Sequence, residues 1–166
     1  MKLFENIVYA KNSGTDGVGD LFLPENFSES TSLALCIHGG AWSSMDKKRM
    51  SEIATFLCRD LGLAVFNINY RLCRKSVWPA GGDDCLEAAW TLLEGRLPQI
   101  QGNGKKILII GASSGGHYAL MTGLRLPPER VSGIISISGI NSVKEDFAFA
   151  PGRYLEGAKK CSSPAR

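Results

Sequence analysis

Histidine is nearly missing from this chain: His38 and His117 are the only two in 166 residues. A zinc or cysteine-protease type of site needs clustered His and Cys, so no metal ligands are assigned. The five cysteines are an odd number and form no C-x-x-C pair. Cys36 falls in an apolar strand, and Cys58 and Cys85 in helical patterns. They read as reduced, buried small hydrophobes of a cytoplasmic protein. No apolar run approaches the roughly 18 residues of a membrane span, so no membrane partner is expected. The opening Met1-Lys2-Leu3-Phe4-Glu5-Asn6 contains an acid and no long apolar run, unlike a signal peptide. An excess of positive charge is also missing. Nineteen Lys and Arg against sixteen Asp and Glu leave only +3, and the basic residues are scattered, which argues against a nucleic-acid partner. Lys47-Lys48-Arg49 and Lys105-Lys106 read as solvated loop charges. The G-x-G-x-x-G spacing of a dinucleotide site is absent, and no cofactor is expected. There is no repeat, linker or low-complexity segment.

What is present is ordinary globular material. Apolar residues make up 44% and charged residues 21%, enough for a packed core. The length suits a single domain spanning 1–166, burying roughly two-thirds of the unfolded surface. Residues 5–10 and 19–23 read as an antiparallel hairpin around Ser13-Gly14-Thr15-Asp16-Gly17. Residues 33–37, 63–68, 107–110 and 131–137 are short apolar runs of strand type. Residues 47–60 read as one helix, with Met50, Ile53, Ala54 and Leu57 on a shared face. Residues 83–93 and 115–125 read as further helices. Strands alternating with helices imply an α/β fold: a mostly parallel sheet, helices on both faces, and a short antiparallel hairpin at the start.

Two loops carry the chemistry. Ile107-Leu108-Ile109-Ile110 runs into Gly111-Ala112-Ser113-Ser114-Gly115-Gly116-His117, and a helical pattern follows. Strand, G-x-S-x-G and helix in that order form a nucleophile elbow, which leaves Ser113 at the top of the sheet and at a helix N-terminus. The second loop, His38-Gly39-Gly40-Ala41-Trp42, also follows an apolar strand. A Gly-Gly turn bares backbone N–H groups, and acyl transfer needs such donors aimed at a developing oxyanion. Gly39, Gly40 and Ser114 are assigned to that oxyanion hole, with Ala41 as a candidate third loop donor. Trp42 either lines an acyl pocket or covers the loop. Arg71 and Asp84 are candidates for an ion pair anchoring a loop, and Trp78-Pro79-Ala80 for a rigid turn opening the next helix.

HGGAW, Asn69-Tyr70-Arg71-Leu72, Trp78-Pro79-Ala80 with Asp83-Asp84, and GASSGGH, in that order, resemble the α/β-hydrolase superfamily. The similarity is to its small carboxylesterases with an HGG-x-W loop: hormone-sensitive-lipase-like, acetyl-xylan-esterase-like and kynurenine-formamidase-like enzymes. The resemblance covers almost the whole chain and implies a serine hydrolase acting on a small acyl ester or amide through Ser113. Relatives supply an acid and then a histidine after the serine. Here no histidine follows His117, so the chain looks cut before its acid and base and is expected to be nearly inactive alone. His117 lies four residues after Ser113 on the same helix, but the elbow serine points away from that helix. His117 therefore reads as packing beside the elbow, and His38 as bracing the oxyanion loop. Residues 131–137 would then form an apolar edge prone to self-association, unless residues 144–166 fold over it. A non-catalytic interaction protein that keeps the elbow as a scaffold is the alternative.

Overall fold

The apolar runs at 33–37, 64–68 and 107–112 become strands buried on two faces, as a sheet sandwiched between helices requires, while the run at 131–137 is only partly covered. A computed structural model describes residues 1–100 and 106–141. Among them, six strands form one sheet: β1 (Lys2–Val8), β2 (Val18–Leu23), β3 (Leu33–Ile37), β4 (Ala64–Ile68), β5 (Ile107–Ala112) and β6 (Val131–Ile137). Their spatial order is β1-β2-β4-β3-β5-β6. The last four in that order run parallel, while β2 is antiparallel to β4 and β1 to β2. The expected hairpin and mostly parallel sheet are both present.

Strand alternation sorts side chains into two cores. Leu33, Leu35, Ile37, Phe66 and Ile109 face helices α2 (Ala80–Leu93) and α3 (Ser114–Arg125), meeting Ala88, Leu92 and Ala119. Ala34, Cys36, Val65 and Ile110 face helix α1 (Ser51–Arg59), meeting Ala54, Leu57 and Cys58. Helices therefore cover both faces. Arg71 binds Asp84 as expected: its backbone N–H and its guanidinium both donate to the carboxylate, at 2.8–3.1 Å. Pro79 stands at the N-cap of α2, where the rigid turn was expected.

Three expectations are corrected. The helix expected over 47–60 is a 3-10 turn, Lys47–Met50, followed by α1. The Asp46 side chain accepts from Lys48 N, and side chains on and beyond β4 hold the Lys47 backbone, which closes the first turn tightly. Lys47 is not a solvated charge: it is buried in an ion pair with Asp20. Cys36, Cys58 and Cys85 carry buried free thiols as expected, but Cys73 is disulfide-bonded. Spacing along a chain reports local structure and is blind to pairing across a fold.

β6 pairs with β5 alone among the described strands, and Ile135 and Ile137 are exposed. The covering segment expected at 144–166 lies outside the described residues. No described helix is long and apolar enough to cross a membrane.

Candidate active site

Register explains why two loops far apart in sequence meet. β3 and β5 are parallel neighbours, with Ile37 opposite Gly111. Both chains leave the sheet at the same end, His38 from one strand and Ser113 from the other. In an open parallel sheet, such C-terminal strand ends are where sites form.

Ser113 has φ 53° and ψ −121°, a left-handed conformation that a non-glycine residue adopts only under constraint. The constraint comes from both sides. Ser113 N donates to the Ile137 carbonyl of β6 at 2.8 Å, and Gly116 N and His117 N donate to the Ser113 carbonyl at 2.9 and 3.2 Å. The two glycines of the elbow are there for space. A Cβ on Gly111 would stand 2.0 Å from the Gly115 carbonyl oxygen, and one on Gly115 would stand 2.3 Å from that of Ile37.

The second loop lies against this serine. A Cβ on Gly39 would stand 3.2 Å from Ser113 Cβ and 2.8 Å from the Ala112 carbonyl oxygen. Gly40 has φ 119°, and Ala41, Trp42 and Met45 also have positive φ. This turn leaves the N–H groups of Gly39 and Gly40 without a carbonyl partner among the described turn and loop hydrogen bonds. The Ser114 N–H opens α3 and has no intrahelical acceptor. Gly39 thus lies against Ser113, Ser114 follows it at the head of α3, and Gly40 is the next residue along the loop.

Neither histidine is paired with the serine. His38 is buried and stacked on Tyr70 at 4.3 Å between ring centroids. Its Nδ1 donates to the Gly39 carbonyl at 2.6 Å, and its own carbonyl accepts from the Tyr70 hydroxyl at 2.9 Å. These bonds tie the ring to Gly39 and the His38 carbonyl to Tyr70. His117 donates from Nδ1 to the Ile140 carbonyl at 3.0 Å and meets the edge of Trp42 at 5.7 Å. Trp42 is buried, which fits a cover on the loop. Among the described residues, Ser113 Oγ has no hydrogen-bond partner, and no group of three or more His, Cys, Asp or Glu converges as a metal site. A polar cleft of about 490 Å³ lies elsewhere, beside Tyr9, Arg71 and Asp84.

Burial pushes the His38 imidazole below its usual pKa, against the opposing pull of its bond to Gly39 and the charge of Asp46. In the unfolded chain His38 takes a proton as pH falls through about 6.5; in the folded protein it does so only at lower pH. Between those values the unfolded state binds more protons. Stability therefore falls as pH drops below about 6.5 and levels off beneath the folded pKa. Thermal unfolding at pH 7.5 and 5.5 should show a smaller loss for His38→Gln than for wild type. Equal losses would contradict this. Burial also raises the Tyr70 and Tyr118 pKa values, which keeps both hydroxyls protonated.

Sequence reasoning missed the polar group behind the oxyanion loop: Lys47, Asp20, Asn67 and Asn69. The only hint was an Asp in one apolar strand and an Asn in another, at positions a core strand does not favour.

A family model described as BD-FAE matches residues 19–149. A non-reducing polyketide synthase of Penicillium brasilianum is 31% identical over 92% of this chain, which spans 7% of the synthase. A versiconal hemiacetal acetate esterase of Emericella nidulans is 31% identical over 73% of this chain and 41% of the esterase. Among solved structures, an arylesterase matches with a TM-score of 0.72 at 18% identity, over 99% of this chain and 57% of its own. The chain thus spans well under two-thirds of each of these proteins.

Proposed function

This chain belongs to the BD-FAE family and has the α/β-hydrolase fold, and from that premise we propose that it carries the nucleophile and oxyanion hole of an esterase-type serine hydrolase. Ser113 Oγ attacks the carbonyl carbon of a small acyl ester or amide, and in this chain its proton passes to hydroxide from solvent. The carbonyl oxygen becomes an oxyanion that accepts hydrogen bonds from the N–H groups of Gly39, Gly40 and Ser114. Collapse of the tetrahedral species expels the alcohol or amine and leaves the acyl group on Ser113, from which water releases it.

The observation that carries this reading is the meeting of two strained loops. Ser113 at φ 53° lies against the backbone of Gly39, with N–H groups on both sides that have no carbonyl partner among the described residues. Left-handed non-glycine residues cost on the order of 1–3 kcal/mol each and cluster where function holds them. The similarity to an acetate esterase supports a short acyl group.

The test is release of p-nitrophenol from p-nitrophenyl acetate and p-nitrophenyl butyrate by the chain and by Ser113→Ala. Serine-dependent release, faster for the acetate, is expected. Release that Ser113→Ala leaves unchanged would favour the second reading, a non-catalytic binding protein on the same scaffold. The observation behind that second reading is that Ser113 Oγ has no hydrogen-bond partner among the described residues.

A further inference from the structure

We propose that Lys47 is a positioning residue of the oxyanion loop, clamping its far end to the sheet so that Gly39 and Gly40 stay aimed at Ser113. This rests on the reading of Ser113 as nucleophile and adds a residue that the reading does not contain.

The loop leaves β3 after Ile37 and spans residues 38–46. Gly40, Ala41, Trp42 and Met45 all have positive φ, so the relaxed path of the chain lies elsewhere and the surroundings must impose the observed one. Inside the loop, Ser43 N and Ser44 N donate to the Gly40 carbonyl at 3.1 and 3.0 Å, and Ser44 Oγ does so at 2.9 Å. These bonds shape the turn without fixing where it sits. Cys73 N donates to the Trp42 carbonyl and tethers the middle.

The far end is held by Lys47, through three separate groups. Its N–H donates to Asn69 Oδ1 at 2.7 Å. Its carbonyl accepts from Asn67 Nδ2 at 2.7 Å. Its Nζ donates to Asp20 Oδ2 at 2.8 Å. The carboxylate is fixed in turn, since Asn6 N donates to Asp20 Oδ1 at 2.8 Å. Asp20 of β2 lies directly opposite Asn67 of β4, which lies opposite Cys36 of β3, two residues before His38. The clamp thus grips β4, the immediate neighbour of the strand from which the loop departs, and β2 beside it.

Stability alone does not account for a buried lysine. The Lys47 and Asp20 side chains are only 7% and 8% exposed, and desolvating two charges offsets most of their attraction. Apolar side chains of the same volume often stabilise as well or better. An apolar contact has no direction, however. Three hydrogen bonds on one residue fix both its position and its orientation. Transition-state donors need that, because a displacement of about 1 Å can cost about a hundredfold in rate.

The test compares Lys47→Met and Asn69→Ala with the unaltered chain. Asn69→Ala removes one anchor without burying an unpaired charge, so it decides the matter if Lys47→Met fails to fold. Amide hydrogen exchange of residues 39–46 should accelerate about tenfold or more, with rates in β3 and β5 unchanged. Acetyl transfer from p-nitrophenyl acetate to Ser113 should slow about tenfold or more, with the half-saturating concentration within about twofold, because the loop acts on the transition state. Unchanged exchange in 39–46, or equal acceleration through β3 and β5, would overturn the clamp. Failure of the unaltered chain to transfer acetyl would count against the hydrolase reading, and the exchange data would still decide the clamp.

Discussion

Gly115→Ala is expected to leave little or no folded protein, with a loss of about 3 kcal/mol or more where unfolding can be measured at all. The new methyl group would stand 2.3 Å from the Ile37 carbonyl oxygen and 2.4 Å from that of His38. Both atoms are backbone, at the end of β3, so no side chain can swing aside. Either α3 moves off the sheet or β3 shifts, and β3 is paired on both sides, to β4 and β5. Gly111→Ala should behave similarly, since its methyl would meet the Gly115 carbonyl at 2.0 Å. Gly62→Ala is the contrast. Gly62 has φ 71° with open space around it, so only the conformational cost of about 1 kcal/mol applies. Urea unfolding of the three variants separates the two causes. Equal midpoints for Gly115→Ala and Gly62→Ala would show that the elbow is not packed as described.

Acyl transfer to Ser113 is expected to rise in proportion to hydroxide between pH 6 and 9, with no inflection near the histidine range. Serine hydrolases owe much of their rate to a histidine that takes the serine proton, and losing it costs about 10⁴–10⁶-fold. The chain has only two histidines, and neither is hydrogen-bonded to Ser113 among the described residues. His38 stacks on Tyr70 and donates to Gly39. His117 donates to Ile140 against the edge of Trp42. Tyr70 and Tyr118 stay protonated, so neither substitutes as base. The proposed oxyanion hole would by itself sustain a residual rate above that in water. Added imidazole should then accelerate acetylation of Ser113 in the wild type and have no effect on Ser113→Ala. An inflection that disappears in His117→Gln would instead make His117 the base.

Much of the site was legible because its signals are local. A β-branched run, G-x-S-x-G and a helical pattern dictate strand, turn and helix at β5, Ser113 and α3 without reference to the rest of the chain. His38-Gly39-Gly40 after β3 is read the same way. Arg71 and Asp84 were legible as a pair because one follows a strand, the other lies in the next helical pattern, and the loop between them needs an anchor. The clamp was not legible, because it depends on sheet order. Lys47 sits in a basic triplet that looks solvated, and Asp20 lies on a strand whose neighbour is β4 rather than the next strand in sequence. The tight first turn at Lys47–Met50 escaped for the same reason, since its apolar spacing matches a continuous helix while distant side chains hold its backbone.

The most direct measurement is the site of acetylation after brief exposure to p-nitrophenyl acetate, read by intact mass and peptide mapping. One acetyl group per chain, on Ser113 and missing from Ser113→Ala, is the predicted result. Acetyl groups spread over surface lysines, to the same extent in both proteins, would contradict a nucleophile at the elbow.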